Sequence, residues 1–184
     1  MSIIYGKRLR LRAVEREDVA KFHEWINDPE VTRGLALYLP MSMTDEENWF
    51  NSLEKRDQKE KPLSIEVRRG KGWKLIGNCA VFGIDLVNSH AELGIMLGEK
   101  SEWNKGYGSE VMSLLVRHCF ETLNLNRAFL RVYTENIRAV RSYEKAGFVL
   151  EGRLREAVYK FGKYDDVLIM SVLRSEWMSQ TKEK

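Results

Sequence analysis

Trp103-Asn104-Lys105-Gly106-Tyr107-Gly108-Ser109-Glu110 lies between a stretch of strand character and a stretch of helical period. Glycines at such a junction let backbone N–H groups approach a ligand closely, and the helix that follows presents its positive N-terminal end. The combination suits a pyrophosphate, with Lys105 as an added point charge. A plain loop that uses glycine only for its turn would look the same. Two common phosphate loops fit poorly. The segment lacks the Gly-Lys-Ser/Thr ending of a nucleoside triphosphate loop. Val111 stands where a dinucleotide fingerprint has its third glycine, and no acidic residue follows at about 20 positions.

Working outward, the residues before this loop alternate with period two and those after it recur with period 3.6. Leu63–Arg69, Trp73–Phe82 and Ala91–Leu97 are expected as strands, and the short links between them suggest an antiparallel meander. Lys7–Ala13 alternates apolar and basic residues as a half-buried strand does. Glu15–Ile26 is helical and is stopped by Asn27-Asp28-Pro29. Thr44-Asp45-Glu46-Glu47 has the form of a capping box ahead of Trp49, Phe50 and Leu53. The charged run Glu54–Lys61 is expected as a solvated helix end.

Downstream, Gly106–Glu121 is helical, with Val111, Leu114, Leu115 and His118 on one face. Arg127–Tyr133 is a strand, and Asn136–Ala146 is a helix closed by Gly147 at C′. Val149–Tyr159 and Asp165–Leu173 complete the set. The expected fold class is α/β (α+β), a mixed sheet of about seven strands with helices packed on both faces.

A chain of 184 residues with 43% hydrophobic content can fill one core, and no repeat or linker divides it. One domain is expected over residues 1–177, followed by a polar tail at 178–184. Thirty basic and 27 acidic residues leave a net charge of +3, too even for a nucleic-acid partner. Lys7, Arg8, Arg10 and Arg12 interrupt any early apolar run, and no stretch approaches the ~20 apolar residues of a membrane span. Cys79 and Cys119 sit in apolar surroundings as reduced core thiols, and with three irregularly spaced histidines they form no metal site. A cytoplasmic protein is expected.

A second constellation lies further along. Asn136 is a good N-cap, and Tyr143, nearly two turns later, falls on the same helix face. From the helix pattern alone, Asn136 only caps and Tyr143 is a core aromatic.

Taken together, Ala91-Glu92-Leu93-Gly94-Ile95-Met96-Leu97-Gly98, then Trp103–Glu110, then Asn136–Phe148 resemble the GNAT superfamily of N-acetyltransferases. Within it the chain is most similar to the branch of ribosomal-protein N-terminal acetyltransferases and spermidine acetyltransferases. Leu9-Arg10-Leu11-Arg12, Trp25–Glu30 and Glu151-Gly152 share that likeness. The resemblance implies the acyl-CoA N-acyltransferase fold and acetyl-CoA as co-substrate. It implies cofactor contacts from Met96, Leu97, Gly98, Trp103, Asn104, Lys105, Gly106, Tyr107, Gly108, Ser109, Asn136 and Tyr143. Asn136 would meet the pantetheine arm, and Tyr143 would be the general acid at the thioester sulfur. Trp103 replaces the family's usual Gln or Arg, which leaves the backbone amides of Asn104–Ser109 to hold the diphosphate.

The chemistry explains these groups. A lysine-like amine has a pKa near 10.4, so only about one in a thousand is neutral at pH 7, and a base must take its proton. Glu92 is the candidate base, acting through water. By period two it shares a strand face with His90, Gly94 and Met96, and apolar neighbours should raise its pKa. A surface glutamate paired with a basic neighbour is the competing reading, and His90 is a minor alternative base. Backbone N–H groups of Glu92–Leu97 could hold the oxyanion if that strand splays. The acceptor is a protein N-terminal amine or a polyamine-like small amine, with walls expected at Trp25–Thr44 and Tyr159–Asp166. Amino-sugar or aminoglycoside acetylation is the second enzyme reading, and a non-catalytic acetyl-CoA sensor is the reading of another class. An exposed strand near Phe161–Leu173 could pair with a second copy to give a homodimer.

Overall fold

The computed structural model describes the backbone of residues 3–182 and the side chains of residues 3–180. The chain opens with strands β1 (Ile4–Tyr5) and β2 (Leu9–Ala13), then helices α1 (Val19–Ile26), α2 (Pro29–Thr32) and α3 (Met43–Ser52). Strands β3 (Leu63–Arg69), β4 (Gly72–Asp85) and β5 (His90–Leu97) follow, and helix α4 (Tyr107–Arg117) leads to β6 (Arg127–Tyr133). Helix α5 (Ile137–Lys145), strands β7 (Val149–Lys160) and β8 (Lys163–Leu173) and helix α6 (Arg174–Lys182) complete it. Among the described residues, eight strands are hydrogen-bonded in the order β1-β2-β3-β4-β5-β6-β8-β7. The β5–β6 pair is parallel, whereas β1–β2, β2–β3, β3–β4, β6–β8 and β7–β8 are antiparallel. The eighth strand, beyond the expected seven, is β1. Two residues ahead of Gly6 are too few to show a period, and they become a strand only because Ile4 and Tyr5 find Leu11 and Arg10.

By internal contacts the chain divides into two compact units, residues up to Ala80 with Ile95–Tyr107, and Val81–Gly94 with Gly108 onward. In the first, Leu9 and Leu11 are fully buried. The basic residues that alternate with them are tied down too. Arg10 donates to Glu66 at 2.6 Å, and Arg12 donates to Asp18 at 2.6 and 2.8 Å. Phe22 and Trp25 of α1 pack with Met96.

Several element ends differ from expectation. The helix expected over Glu15–Ile26 begins as a 3₁₀ turn, Arg16–Asp18, before α1. The capping box of α3 is Ser42 with Asp45, not Thr44 with Glu47. The Asp45 amide donates to Ser42 Oγ at 3.1 Å, and the Ser42 amide donates back to the Asp45 carboxylate at 2.8 Å. A shorter acid makes the same reciprocal bond two residues earlier, which lets Met43 begin the helix.

In the second unit, Ala128, Leu130 and Val132 of β6 alternate into the core, and Val111, Met112, Leu115 and Val116 of α4 are buried. The helix after the loop ends in one π turn, His118–Thr122. The stretch expected as a polar tail is helical as far as Lys182, and residues 183–184 lie outside the described residues. No helix among the described residues is long and apolar enough to cross a membrane.

Candidate active site

Strand β5 brings the first group of residues into place. Its ladder with β6 covers only His90↔Arg127, Ala91↔Ala128 and Glu92↔Phe129. Beyond Glu92 the β5 backbone has no register partner on β6, so its amides on that side are not used by the ladder. Burial along β5 also slips. Ala91 and Leu93 are buried, but the next buried residue is Met96, where an unbroken period of two would bury Ile95. The expected face shared by Glu92 and Met96 therefore does not hold. The Met96 side chain sits in the core with Phe22 and Trp25, which leaves only its backbone for a ligand. Gly77 makes room for this strand, since a Cβ there would lie 2.0 Å from the Met96 carbonyl oxygen. Gly98 ends it, with the Trp25 indole where a Cβ would stand, 2.0 Å away.

The loop itself is built from left-handed backbone. Asn104 has φ 62° and Gly106 φ 80° on either side of Lys105, and α4 starts at Tyr107. The first amides of a helix have no carbonyl behind them within the helix, so those of Tyr107, Gly108 and Ser109 are open donors by construction. Trp103 does not stand idle in place of a phosphate ligand. Its indole Nε1 donates to the Leu97 carbonyl at 2.8 Å and fastens the loop to the end of β5. Lys105, expected as a free point charge, is paired with Glu102 at 3.0 Å. Arg8, which sequence reading passed over, donates to the Lys105 carbonyl at 2.9 Å and lies 4.7 Å over the Tyr107 ring. Its bond to Lys105 spans 97 residues of chain, so no local pattern could have found it.

The remaining residues lie in the second unit. Asn136 caps α5, accepting from the Ala139 amide at 3.2 Å through Oδ1, so Nδ2 is its remaining donor. At the other end of the helix, the Gly147 amide donates to Glu144 and the Phe148 amide donates to Tyr143, each at 3.0 Å. With Gly147 at φ 95° this is a Schellman closure, and the Tyr143 and Phe148 rings meet at 6.0 Å across it. Tyr143 is thus fixed by the way its helix ends. Although the residue is half-buried, desolvation pushes its phenol up to about 12. Glu92 is not a lone carboxylate among apolar residues. Arg131 on β6 donates to both of its oxygens, at 2.9 and 2.7 Å. The competing reading of a carboxylate held by a basic neighbour describes its geometry. His90 packs edge-on to Phe129 and stands 3.8 Å from Asp85.

The stretches expected as acceptor walls carry carboxylates. Asp165 accepts from Thr134 at 2.5 Å, Asp166 is paired with Arg153 and accepts from the Glu156 amide at 2.6 Å, and Glu30 is 3.2 Å from Lys100. These carboxylates are already engaged within the fold.

Comparison with known proteins gives the class. The family described as Acetyltransferase (GNAT) domain matches residues 8–149. The chain is 33% identical over 180 residues to a Bacillus licheniformis protein called uncharacterized N-acetyltransferase p20, covering 96% of this chain and 99% of that protein. It is 29% identical over 180 residues to spermidine N(1)-acetyltransferase of Vibrio cholerae, covering 96% and 99%. A crystal structure of spermidine N-acetyltransferase from Vibrio cholerae in complex with CoA and spermine matches with a TM-score of 0.84 at 29% identity, over 94% of this chain and 99% of that one. The chain belongs to the GNAT acetyltransferase family. It is an N-acetyltransferase.

Proposed function

We propose that this enzyme transfers the acetyl group of acetyl-CoA to a primary amine of a small polyamine, with a protein N-terminal amine as the alternative acceptor. The observation behind this is the left-handed pair Asn104 and Gly106, which turns the chain into α4 with its first amides open. That loop fits a diphosphate: the donors are main-chain N–H groups, and the Arg8 guanidinium lies 3.4 Å from where a Gly106 side chain would begin. Relatives named for spermidine favour the polyamine over an amino sugar, and Tyr143 favours an enzyme over a sensor.

When bound, acetyl-CoA supplies an activated acetyl thioester. The amides of Asn104–Ser109 hold its diphosphate, with Lys105 free to leave Glu102 for a phosphate. Asn136 Nδ2 donates to the pantetheine arm. Of the β5 amides beyond Glu92, those on the side away from β4 are outside the β6 ladder and donate to the carbonyl oxygen as charge grows there. Tyr143, with its phenol up at about 12, carries its proton throughout the neutral range and donates it toward the sulfur as that atom becomes negative. Glu92 takes the amine proton through water. Arg131 occupies one lone pair on each carboxylate oxygen, and the others remain for that water. One domain over residues 1–177 is part of this proposal, and the family match covers residues 8–149 of it. The free, buried thiols of Cys79 and Cys119 suit a reducing cytoplasm. The strand expected to pair with a second copy, β8, is flanked by β6 and β7, so the open sheet edge that suits a homodimer is β7 instead.

Thiol release from acetyl-CoA, measured with spermidine, spermine, an N-terminal peptide and an aminoglycoside, tests the proposal. Turnover is expected to be fastest with the polyamines. Preference for the peptide or the aminoglycoside would replace the acceptor. Binding of CoA without turnover on any amine would leave only a sensor.

A further inference from the structure

Glu102, the residue just before the loop, has no role in the reaction scheme above beyond pairing Lys105, yet it organises a cluster of its own. It ends the 3₁₀ turn Lys100–Glu102, and its side chain is only 5% exposed. Three cations converge on its carboxylate. Arg69 pairs with it from the end of β3, Lys105 lies 3.0 Å from the same oxygen, and Lys74 of β4 lies 3.6 Å from the other. Arg69 also reaches the Tyr107 hydroxyl at 3.4 Å. One buried carboxylate thus grips the loop on both sides of Gly106, directly through Lys105 and by way of Arg69 through Tyr107. Burial alone would raise its pKa, but hydrogen bonds from Arg69 and Lys105 hold it at about 2, so it is ionised at every working pH. Neither Glu102 nor Arg69 belongs to the loop pattern, and a carboxylate beside an anion site would by itself repel the ligand. Here it is enclosed by more positive charge than it carries.

We propose that Glu102 is a positioning residue for the diphosphate loop, fixing the Gly106 turn from both flanks so that its amides are set before acetyl-CoA arrives. This rests on the acetyl-CoA reading above. A loop ordered in advance does not spend binding energy on its own ordering, so loosening it weakens cofactor affinity without altering the bound reaction. Arg69 shares the task, because it is the link from Glu102 to Tyr107.

Glu102→Gln, Arg69→Met and the double variant, compared with the unaltered chain, test the proposal by calorimetric titration with CoA and by steady-state kinetics. Glu102→Gln is expected to raise the Kd for CoA and the KM for acetyl-CoA about tenfold, with kcat and the acceptor KM unchanged. Arg69→Met is expected to do nearly the same, and the double variant no worse than Glu102→Gln alone, because both break one network. A general loss of packing would lower kcat as well and would add between sites. An unchanged KM for acetyl-CoA, a parallel fall in kcat, or additive effects overturn the proposal. Should Glu102→Gln not fold by circular dichroism, Arg69→Met decides alone, since its side chain is 43% exposed and leaves no hole in the core. Failure of the unaltered chain to bind CoA would overturn the cofactor reading itself. Binding by that chain with unaffected variants overturns only the role of Glu102.

Discussion

At the scale of single residues, Tyr143 makes the sharpest prediction. Tyr143→Phe removes the proton donor but keeps the ring that packs on Phe148, so kcat should fall about 10²-fold with CoA affinity nearly kept. Unchanged turnover would remove it from the chemistry. Because burial lifts the phenol to about 12, loss of its proton cannot produce an alkaline fall in kcat at pH 9 or 10. A limb there belongs to another group. Glu92→Gln separates two roles. If Glu92 receives the amine proton through water, kcat/KM should drop by about 10²-fold and the acid limb of the pH profile should move. If it serves only Arg131, the melting temperature should fall while the pH profile stays where it was.

At the scale of elements, the end of α5 and the end of β5 are both set by glycine, for different reasons. Gly147 is needed for backbone at φ 95°, where a side chain costs about 1–2 kcal/mol. Gly147→Ala should lower the melting temperature, and it should lower kcat too, because the Tyr143 carbonyl accepts the closing bond of that turn. Gly98 is needed for space. Gly98→Ala would drive a methyl group into the Trp25 indole, and a thermal melt should show a loss of about 1–3 kcal/mol. A melt unchanged from the unaltered chain would mean that α1 yields freely there. The sequence read most elements well, because long runs of period two and period 3.6 leave little choice. It misplaced the α3 cap because Ser42–Asp45 and Thr44–Glu47 both fit the same box, and backbone geometry decides between them.

At the scale of the whole molecule, two buried carboxylates give stability opposite dependences on pH. For Asp18, burial raises the pKa, but Arg12, the Glu15 amide and Ser64 together bring it below 3.8. Its contribution is therefore present above that value and is lost as pH falls through the lower folded value. Glu46 is buried, and burial pushes its pKa above 4.5 despite the pull of His23. Its ionisation costs stability as pH rises past 4.5. Glu46→Gln should therefore raise the melting temperature more at pH 7.5 than at pH 4.5. An equal effect at both would show that Glu46 titrates as an ordinary surface acid.

The sequence by itself determined the class: a strand, a glycine-bearing turn and a helix in order, followed by an asparagine cap and a tyrosine on one helix face. Those are local features, governed by backbone conformation and periodicity over a few turns. Only the tertiary structure decided who holds these residues. Arg131 on Glu92, Arg69 on Glu102, Arg8 on the loop, and Trp25 against Gly98 are contacts between residues about 30 to 100 positions apart. Charge and volume at such distances are matched by folding, and no period along the chain records them.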